Sequence, residues 1–491
     1  MRTIWYMGAK TRLTTDIVEA VERADPRAET VLDLMSGTAV VSQTLASRYR
    51  VVANDVQAYA AAIARAYLVH ADPTRLARRL DPERDLGAVY RENAAALLAH
   101  LGPAVALEDA FLEAHGLEPD APDPLAGAVL ATPTDPAAVQ RARRGLPRDP
   151  AALAAAYREF ALRGTPAFCE AGDVRLDGPF RGAAALFSRA TVAARRADPR
   201  TRPYLLTSVY YPNCYFGVRQ AIAVDSLRCA IDALRDREAR DHYLAALLHA
   251  ASVATSATSH FCQPRGLGSD AEVKAVLARR ALSIPSKLAA YSREIAATCA
   301  ATPYHPRNAV LSGDWREVLG PRWGEVQADV VYADPPYTAD HYSRFYHVLE
   351  VLTRYDYPAL KTSSGRLTKG RYPALGARPR SGFCGRRQVE RELSDLARLT
   401  AERGAALVLS YGEENGLVLR TWRDEGCSAA EALRRFERLA GAAYADVSLK
   451  RRPLLHSGQG DSNHTVTELL LVARRPRSAR QRARRGATAC A

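Results

Sequence analysis

None of the eight cysteines in this 491-residue sequence forms a Cys-x-x-Cys pair. The spacing that ligates zinc is therefore missing. The cysteines, at positions 169, 214, 229, 262, 299, 384, 427 and 490, are scattered, and a disulfide framework belongs to much smaller secreted chains. They read as small core residues, and no structural zinc or other metal is expected. No apolar run is both long and uncharged enough to span a bilayer. The opening residues, Met1-Arg2-Thr3-Ile4-Trp5-Tyr6, lack the apolar stretch and small-residue cleavage site of a signal peptide. A soluble cytoplasmic chain with no membrane partner is the expectation. No internal repeat is evident.

Apolar residues, by contrast, make up 47% of the chain, enough for a large core. The length argues for two domains. A net charge of +14 favours a polyanionic partner, although an Ala/Arg-rich coding bias would raise the arginine count without one. Arg474 to Arg485 is basic, with no acidic residue, and reads as a disordered, solvated tail.

Residues 1–71 alternate helix and strand. The stretch 72–307 becomes rich in Ala, Arg and Pro, with turn clusters such as Glu118-Pro119-Asp120. A helical period returns there, with Leu227, Ile231 and Leu234 on one face and Leu244, Leu247 and Leu248 on another. Residues 308–473 resume the strands: Val310 to Asp314, Asp329 to Ala333, Ala405 to Leu409 and Thr465 to Val472. The pattern predicts an α/β fold with a mostly parallel, Rossmann-like sheet covered on both faces. A largely helical insertion splits it, too long for the connection of one βαβ unit, and residues 474–491 form the tail.

The first half resembles a nucleoside site. A short strand, Thr30-Val31-Leu32-Asp33-Leu34, runs into Met35-Ser36-Gly37-Thr38, where Gly37 suits a tight turn approached by a ligand. The next strand ends at Asn54-Asp55, and an acidic side chain there can accept hydrogen bonds from ribose hydroxyls. Ala39 stands where a further glycine is common, which argues against a pyrophosphate site. A generic βαβ turn with a capping Asp explains the same residues. Upstream, Tyr6-Met7-Gly8-Ala9-Lys10-Thr11-Arg12-Leu13 opens a helix, and Lys10 with Arg12 could meet a carboxylate or phosphate, although taken alone Lys10 reads better as a surface lysine.

The second half carries Asp334-Pro335-Pro336-Tyr337 at the C-terminal end of a buried strand, the edge where open α/β sheets place ligands. The exocyclic amine of adenine is a poor nucleophile, because its lone pair is delocalised into the ring. Acceptors on its two N–H groups release that lone pair, and Asp334 and the Pro335 carbonyl are suited to supply them. Two prolines stiffen the loop, and Tyr337 offers a face for an extruded base. A plain Pro-Pro turn capped by Asp334 is the competing account.

With these motifs in this order, the chain resembles the Dam-like (alpha-group) DNA adenine methyltransferases of restriction–modification systems. The resemblance covers the αβ parts well. In the insertion it is limited to short stretches such as Tyr215-Phe216-Gly217, and beyond the loop to His341-Tyr342 through Glu350. It implies S-adenosyl-L-methionine as co-substrate, held by Tyr6, Lys10, Asp33, Gly37, Asp55, Asp314 and Asp334. It implies Asp334, Pro335, Pro336 and Tyr337 as the catalytic loop, with Leu409-Ser410-Tyr411 lining the base pocket. It also implies double-stranded DNA as substrate, a nucleoid-associated location, and a cognate restriction endonuclease as a partner. Asp314 doubles as a candidate strand-end cap. Ala9 and Ala39 depart from the family's glycines, a small change where the backbone needs no positive φ.

Phosphate contacts are expected from Lys361, Arg366, Lys369 and Arg371, extended by Arg378, Arg380, Arg386 and Arg387. A solvated basic loop would look the same. Sequence readout is expected in the insertion. Competing functions are amino-methylation of cytosine in DNA or adenine in RNA, where Ser or Asn more often precedes Pro-Pro, and a catalytically inactive DNA-binding specificity protein.

Overall fold

A computed structural model describes residues 10–117, 134–163, 178–258, 260–302, 305–457 and 463–474. Tyr6 and Ala9, the 118–124 turn cluster and the tail beyond Arg474 lie outside the described residues. Nine strands are present among the described residues: β1 (Thr30–Asp33), β2 (Arg50–Asp55), β3 (Ala309–Ser312), β4 (Val330–Ala333), β5 (Thr362–Ser363), β6 (Arg366–Leu367), β7 (Ala406–Gly412), β8 (Val447–Ser457) and β9 (Asn463–Ala473). The chain forms two compact units. Among the described residues, one comprises those from Lys10 to Val69, Thr302–Tyr342 and those from Arg380 to Arg474; the other is built on His70–Ala301 and Ser343–Pro379.

The first unit is a mixed α/β body around a seven-stranded sheet of order β3-β2-β1-β4-β7-β9-β8. β3, β2, β1, β4 and β7 run parallel, and β9 pairs antiparallel with both β7 and β8. Every residue of β1, β4 and β7 is buried, as expected of central parallel strands covered on both faces. On one face Leu32, Val331, Leu407, Leu409 and Leu469 pack with Trp422 and Phe436, from the helices Leu417–Asp424 and Ala429–Gly441. Burying each such side chain contributes about 1.5–3 kcal/mol. Helix Thr14–Ala24 packs against β4, β7 and β9. Asp329 locks the centre of the sheet: its carboxylate accepts the backbone N–H groups of Glu29 and Thr30, at 3.0 and 3.1 Å.

The sequence pattern does not announce β8, Val-Ser-Leu-Lys-Arg-Arg-Pro-Leu-Leu-His-Ser. It lies at the sheet edge, where Lys, Arg and Pro discourage pairing with another chain and no apolar alternation is required.

In the other unit, the described elements between His70 and Ala301 are helices. Ser343–Pro379 clusters with them rather than with the sheet, a difference from the 308–473 grouping. The cause is side-chain chemistry. Tyr355 donates to Asp225 at 2.7 Å, Arg228 donates to the Leu352 carbonyl, and His347 bonds the Gly370 carbonyl beside Tyr215.

A second difference concerns the helix Pro82–Ala114. It is long and apolar enough, by length and composition, to cross a membrane, against the expectation that no such stretch exists. Here its polar residues are anchored within the unit. Asn93 donates to the Tyr204 carbonyl, and Glu108 accepts the Val218 and Arg219 N–H groups.

Candidate active site

The strand order reverses between β1 and β4. The chain leaves β1 towards β2 and β3, then returns on its other side through β4 and β7. A crevice at the C-terminal ends of the strands flanking such a reversal is where α/β sheets bind ligands. β1 ends there in Asp33, β2 in Asp55, and β4 runs into Asp334-Pro335-Pro336-Tyr337. β9 runs the opposite way, so its Glu468, in register with Gly412, reaches the same edge.

Lys10 is 5% exposed. Its ammonium Nζ lies 2.9 Å from Asp334 Oδ1 and 3.0 Å from Glu468 Oε1, and 5.0 Å from the centre of the Tyr337 ring. Burial disfavours the ammonium, but the two carboxylates outweigh it and hold its pKa well above the ordinary lysine value. Burial pushes the Asp334 carboxyl up to about 6, Lys10 opposes that rise and Glu468 adds to it. Tyr337 packs edge-on against Tyr411, with ring centres 5.7 Å apart, and its carbonyl accepts the Leu417 N–H at 2.7 Å. Pro335 is buried, while Pro336 and Tyr337 are half-buried.

The turn after β1 is held from β2. Asp55 accepts the Gly37 N–H on one oxygen at 3.0 Å and the Gln57 N–H on the other at 2.9 Å. Asp55 thus braces the turn as well as standing at the strand end. Gly37 has φ 51° and Ala39 has φ 60°. Positive φ at position 39 is where the sequence expectation fails, since the backbone there does take the conformation that favours glycine. A Cβ in it costs roughly 1 kcal/mol.

Asp33 is 1% exposed. One of its oxygens accepts the Ser42 hydroxyl at 2.5 Å, and the other has no partner. Burial, reinforced by Asp334 and Asp55, raises its pKa to about 7 against the Ser42 hydrogen bond. Around it, Ser36 Oγ, both polar atoms of the Gln43 amide, Asn54 Oδ1 and Gln57 Oε1 are also buried without a hydrogen-bond partner. A cluster of buried, unmatched donors and acceptors is costly in a closed core, about 1–3 kcal/mol each, unless a polar ligand completes it. Among the described residues no group of three or more His, Cys, Asp or Glu is arranged to hold a metal.

Among the other candidates, Asp314 follows Gly313, whose N–H donates to the Asp55 carbonyl at 3.2 Å at the C-terminal end of β3. Asp314 is exposed and caps the helix Trp315–Leu319, accepting the Arg316 N–H at 2.8 Å. Ser410 and Tyr411 are fully buried. Ser410 bonds the Tyr332 hydroxyl at 3.0 Å, and Tyr411 accepts the Val418 N–H. Through its ring contact with Tyr337, Tyr411 stands directly behind the loop.

Lys361 and Lys369 are exposed and flank the β5–β6 hairpin, whose Ser364-Gly365 turn has positive φ at both residues. Arg366 lies on β6. Arg371 is a correction: it is 4% exposed and donates to the Tyr210 carbonyl, so it supports the fold and is withdrawn from phosphate contact. Arg378 lies 5.5 Å from the Tyr372 ring centre. Arg380 and Arg387 are exposed, and Arg386 pairs with Asp424.

The residue that sequence reasoning missed is Glu468. Its signal was present, a single acid inside the apolar run Val466 to Val472. Nothing in the local pattern shows that an antiparallel strand delivers it to the β4 edge.

A parallel-dominated sheet with an Asp-Pro-Pro-Tyr loop at its reversal point is consistent with a methyltransferase fold. Residues 6–90 and 312–372 match the family model described as D12 class N6 adenine-specific DNA methyltransferase. The chain is also 38% identical, over 74 residues, to the modification methylase LlaI of Lactococcus lactis subsp. lactis. That stretch is 15% of this chain and 11% of the relative's length. Over these segments the chain is similar to an adenine-specific DNA methyltransferase family and to a modification methylase, and it spans about a tenth of that relative's length. No solved structure matches it.

Proposed function

We propose that the protein is a site-specific DNA methyltransferase that moves a methyl group from S-adenosyl-L-methionine to the exocyclic amine of adenine in double-stranded DNA. The observation that carries this reading is Asp334, held on buried Lys10 beside Tyr337 at the C-terminal end of β4. The unmatched polar atoms around Gly37 suit a polar nucleoside, so the residues present fit the co-substrate. Asp33, Gly37, Asp55 and Lys10 would hold it. When bound, it supplies an electrophilic methyl on a sulfonium.

The chain's own residues then act on the base. Asp334 accepts a hydrogen bond from one N–H of the target amine and the Pro335 carbonyl accepts from the other, which frees the nitrogen lone pair for direct attack. Tyr337 stacks on the extruded base, worth roughly 1–3 kcal/mol. Base flipping is required because the amine is out of reach inside a duplex.

The helical segment after His70 is the proposed target reader, and Lys361, Arg366 and Lys369 the proposed phosphate contacts. The relative's name makes a cognate restriction endonuclease a proposed partner, and the substrate makes the nucleoid the proposed location. Nothing favours cytosine, RNA or an inactive specificity protein.

Two measurements test this. Genomic DNA from a host expressing the full chain should carry methylated adenine at one sequence context, and methylated cytosine instead would reassign the base. Purified Asp334→Ala should lose methyl transfer by at least about 100-fold while binding duplex DNA as before. Substantial residual transfer would remove Asp334 from the mechanism.

A further inference from the structure

We infer that Glu468 is a positioning residue for the transfer reaction: it shares the Lys10 ammonium with Asp334 and thereby sets how strongly Asp334 accepts a hydrogen bond from the target amine. The inference rests on the proposed adenine methylation and assigns a role within it to a residue on the far side of the sheet centre.

Three observations carry it. First, Lys10 is nearly equidistant from the two carboxylates, 2.9 and 3.0 Å, and all three charges are largely withdrawn from water. One ammonium between two carboxylates leaves a net negative charge at the β4 edge, suited to a cationic sulfonium donor. A Lys10–Asp334 pair alone would be neutral.

Second, placing Glu468 there depends on the single antiparallel strand of the central sheet. Register sets Glu468 opposite Gly412 and Leu471 opposite Leu409, which itself pairs with Ala333. Glu468 thus stands three positions past the last paired residue of β4, level with the catalytic loop. An acid this buried, directly before the apolar, buried run Leu469–Ala473, is expensive unless it is paired. Glu413 N–H bonds to the Thr467 carbonyl, and the Thr467 N–H to Glu414, which fixes the backbone around it.

Third, the electrostatics have a definite sign. An ammonium bound to Asp334 alone would draw charge from the oxygens the substrate amine needs. Glu468 pulls that ammonium towards itself and raises the basicity of Asp334. A more basic carboxylate is a better acceptor, while Lys10 still keeps it ionised near neutral pH. The groups facing Asp334 in this balance are Lys10, Glu468, Tyr337, Tyr332 and Asp33.

The test is the pH profile of single-turnover methyl transfer by the full-length protein on a duplex carrying its methylation site. Wild type is compared with Glu468→Gln, which keeps the shape and removes the charge. The acidic limb should move down by about one pH unit. The plateau rate should fall roughly tenfold, the scale on which a supporting group acts through the one it holds. The KM for DNA should be unchanged. Glu468→Asp should restore most of the limb position, and it serves as the informative variant if the glutamine form is unstable. In a Lys10→Met background, Glu468→Gln should have little further effect, because its action runs through Lys10.

A limb and plateau identical to wild type in Glu468→Gln would overturn the inference and leave the methylation reading standing. A wild-type protein with no transfer at any pH would overturn the methylation reading, and this inference with it. A rate lost in proportion to folded fraction, with the limb unmoved, would assign Glu468 a structural role only.

Discussion

Asp33 has one oxygen matched by Ser42 and one buried without a hydrogen-bond partner, so folding favours its neutral form. A carboxyl whose pKa rises on folding favours the folded state below its unfolded pKa, near 3.9. That advantage is lost as pH climbs through its folded value, about 7 here. Asp33→Asn removes the charge while keeping an acceptor for Ser42. It should therefore leave stability almost unchanged at pH 4 and raise it by roughly 1–3 kcal/mol at pH 8. Urea unfolding at the two pH values decides this, and equal effects at both would show that Asp33 is not a buried charge in the ligand-free protein. Residue types were the most legible part of the chain, since Asp33, Gly37, Asp55, Lys10 and the Asp-Pro-Pro-Tyr loop could all be picked out by eye. The capping role of Asp314 was legible too, but Asp55 accepting the Gly37 N–H, and Arg371 turned inward to Tyr210, could not be read. Those are long-range contacts, and a residue's own neighbours in sequence do not reveal them.

Elements were legible where burial is two-sided. β1, β4 and β7 read as apolar runs because both faces of the sheet are covered, whereas edge strand β8 hid behind its Lys, Arg and Pro. The turn from β7 into helix Leu417–Asp424 depends on a glycine for a reason no pattern shows. Gly416 has φ −61°, open to any residue. Yet a Cβ there would lie 2.1 Å from the Gly412 carbonyl oxygen and 2.5 Å from the Tyr411 ring. The same turn positions the Leu417 N–H that holds the Tyr337 carbonyl. Gly416→Ala should cost on the order of 2 kcal/mol, because the backbone oxygen cannot swing away as a side chain would. It should also slow transfer beyond the loss of folded protein, since the catalytic loop is tethered to the shifted helix. Thermal unfolding together with the transfer rate at saturating substrates checks both, and a variant as stable and as fast as wild type would show that the turn relaxes freely.

At the scale of the whole molecule the charge is the property with the widest consequence. The final residues after Arg474 carry six of the chain's arginines and no acid. The last strand ends at Ala473, and Arg474 just beyond it is still held by the fold, pairing with Asp446 at 2.8 Å and donating to the Arg23 carbonyl. A truncation that separates electrostatics from folding must therefore fall after Arg474, not before it. Every residue of the Lys10–Asp334–Glu468 group and of the β1–β4 crevice is retained in that shortened chain. Single-turnover transfer at saturating DNA should then match the full chain. Binding to a duplex without the target site is different, because each phosphate neutralised releases counterions. Deleting six arginines should flatten the slope of log K against log salt by up to about 5. Affinity should fall at low salt and converge with the full chain as salt rises. An unchanged slope would mean that the arginines never meet phosphate, leaving coding bias as the source of this part of the +14 charge. A loss of transfer at saturation would mean instead that these residues reach the reaction itself.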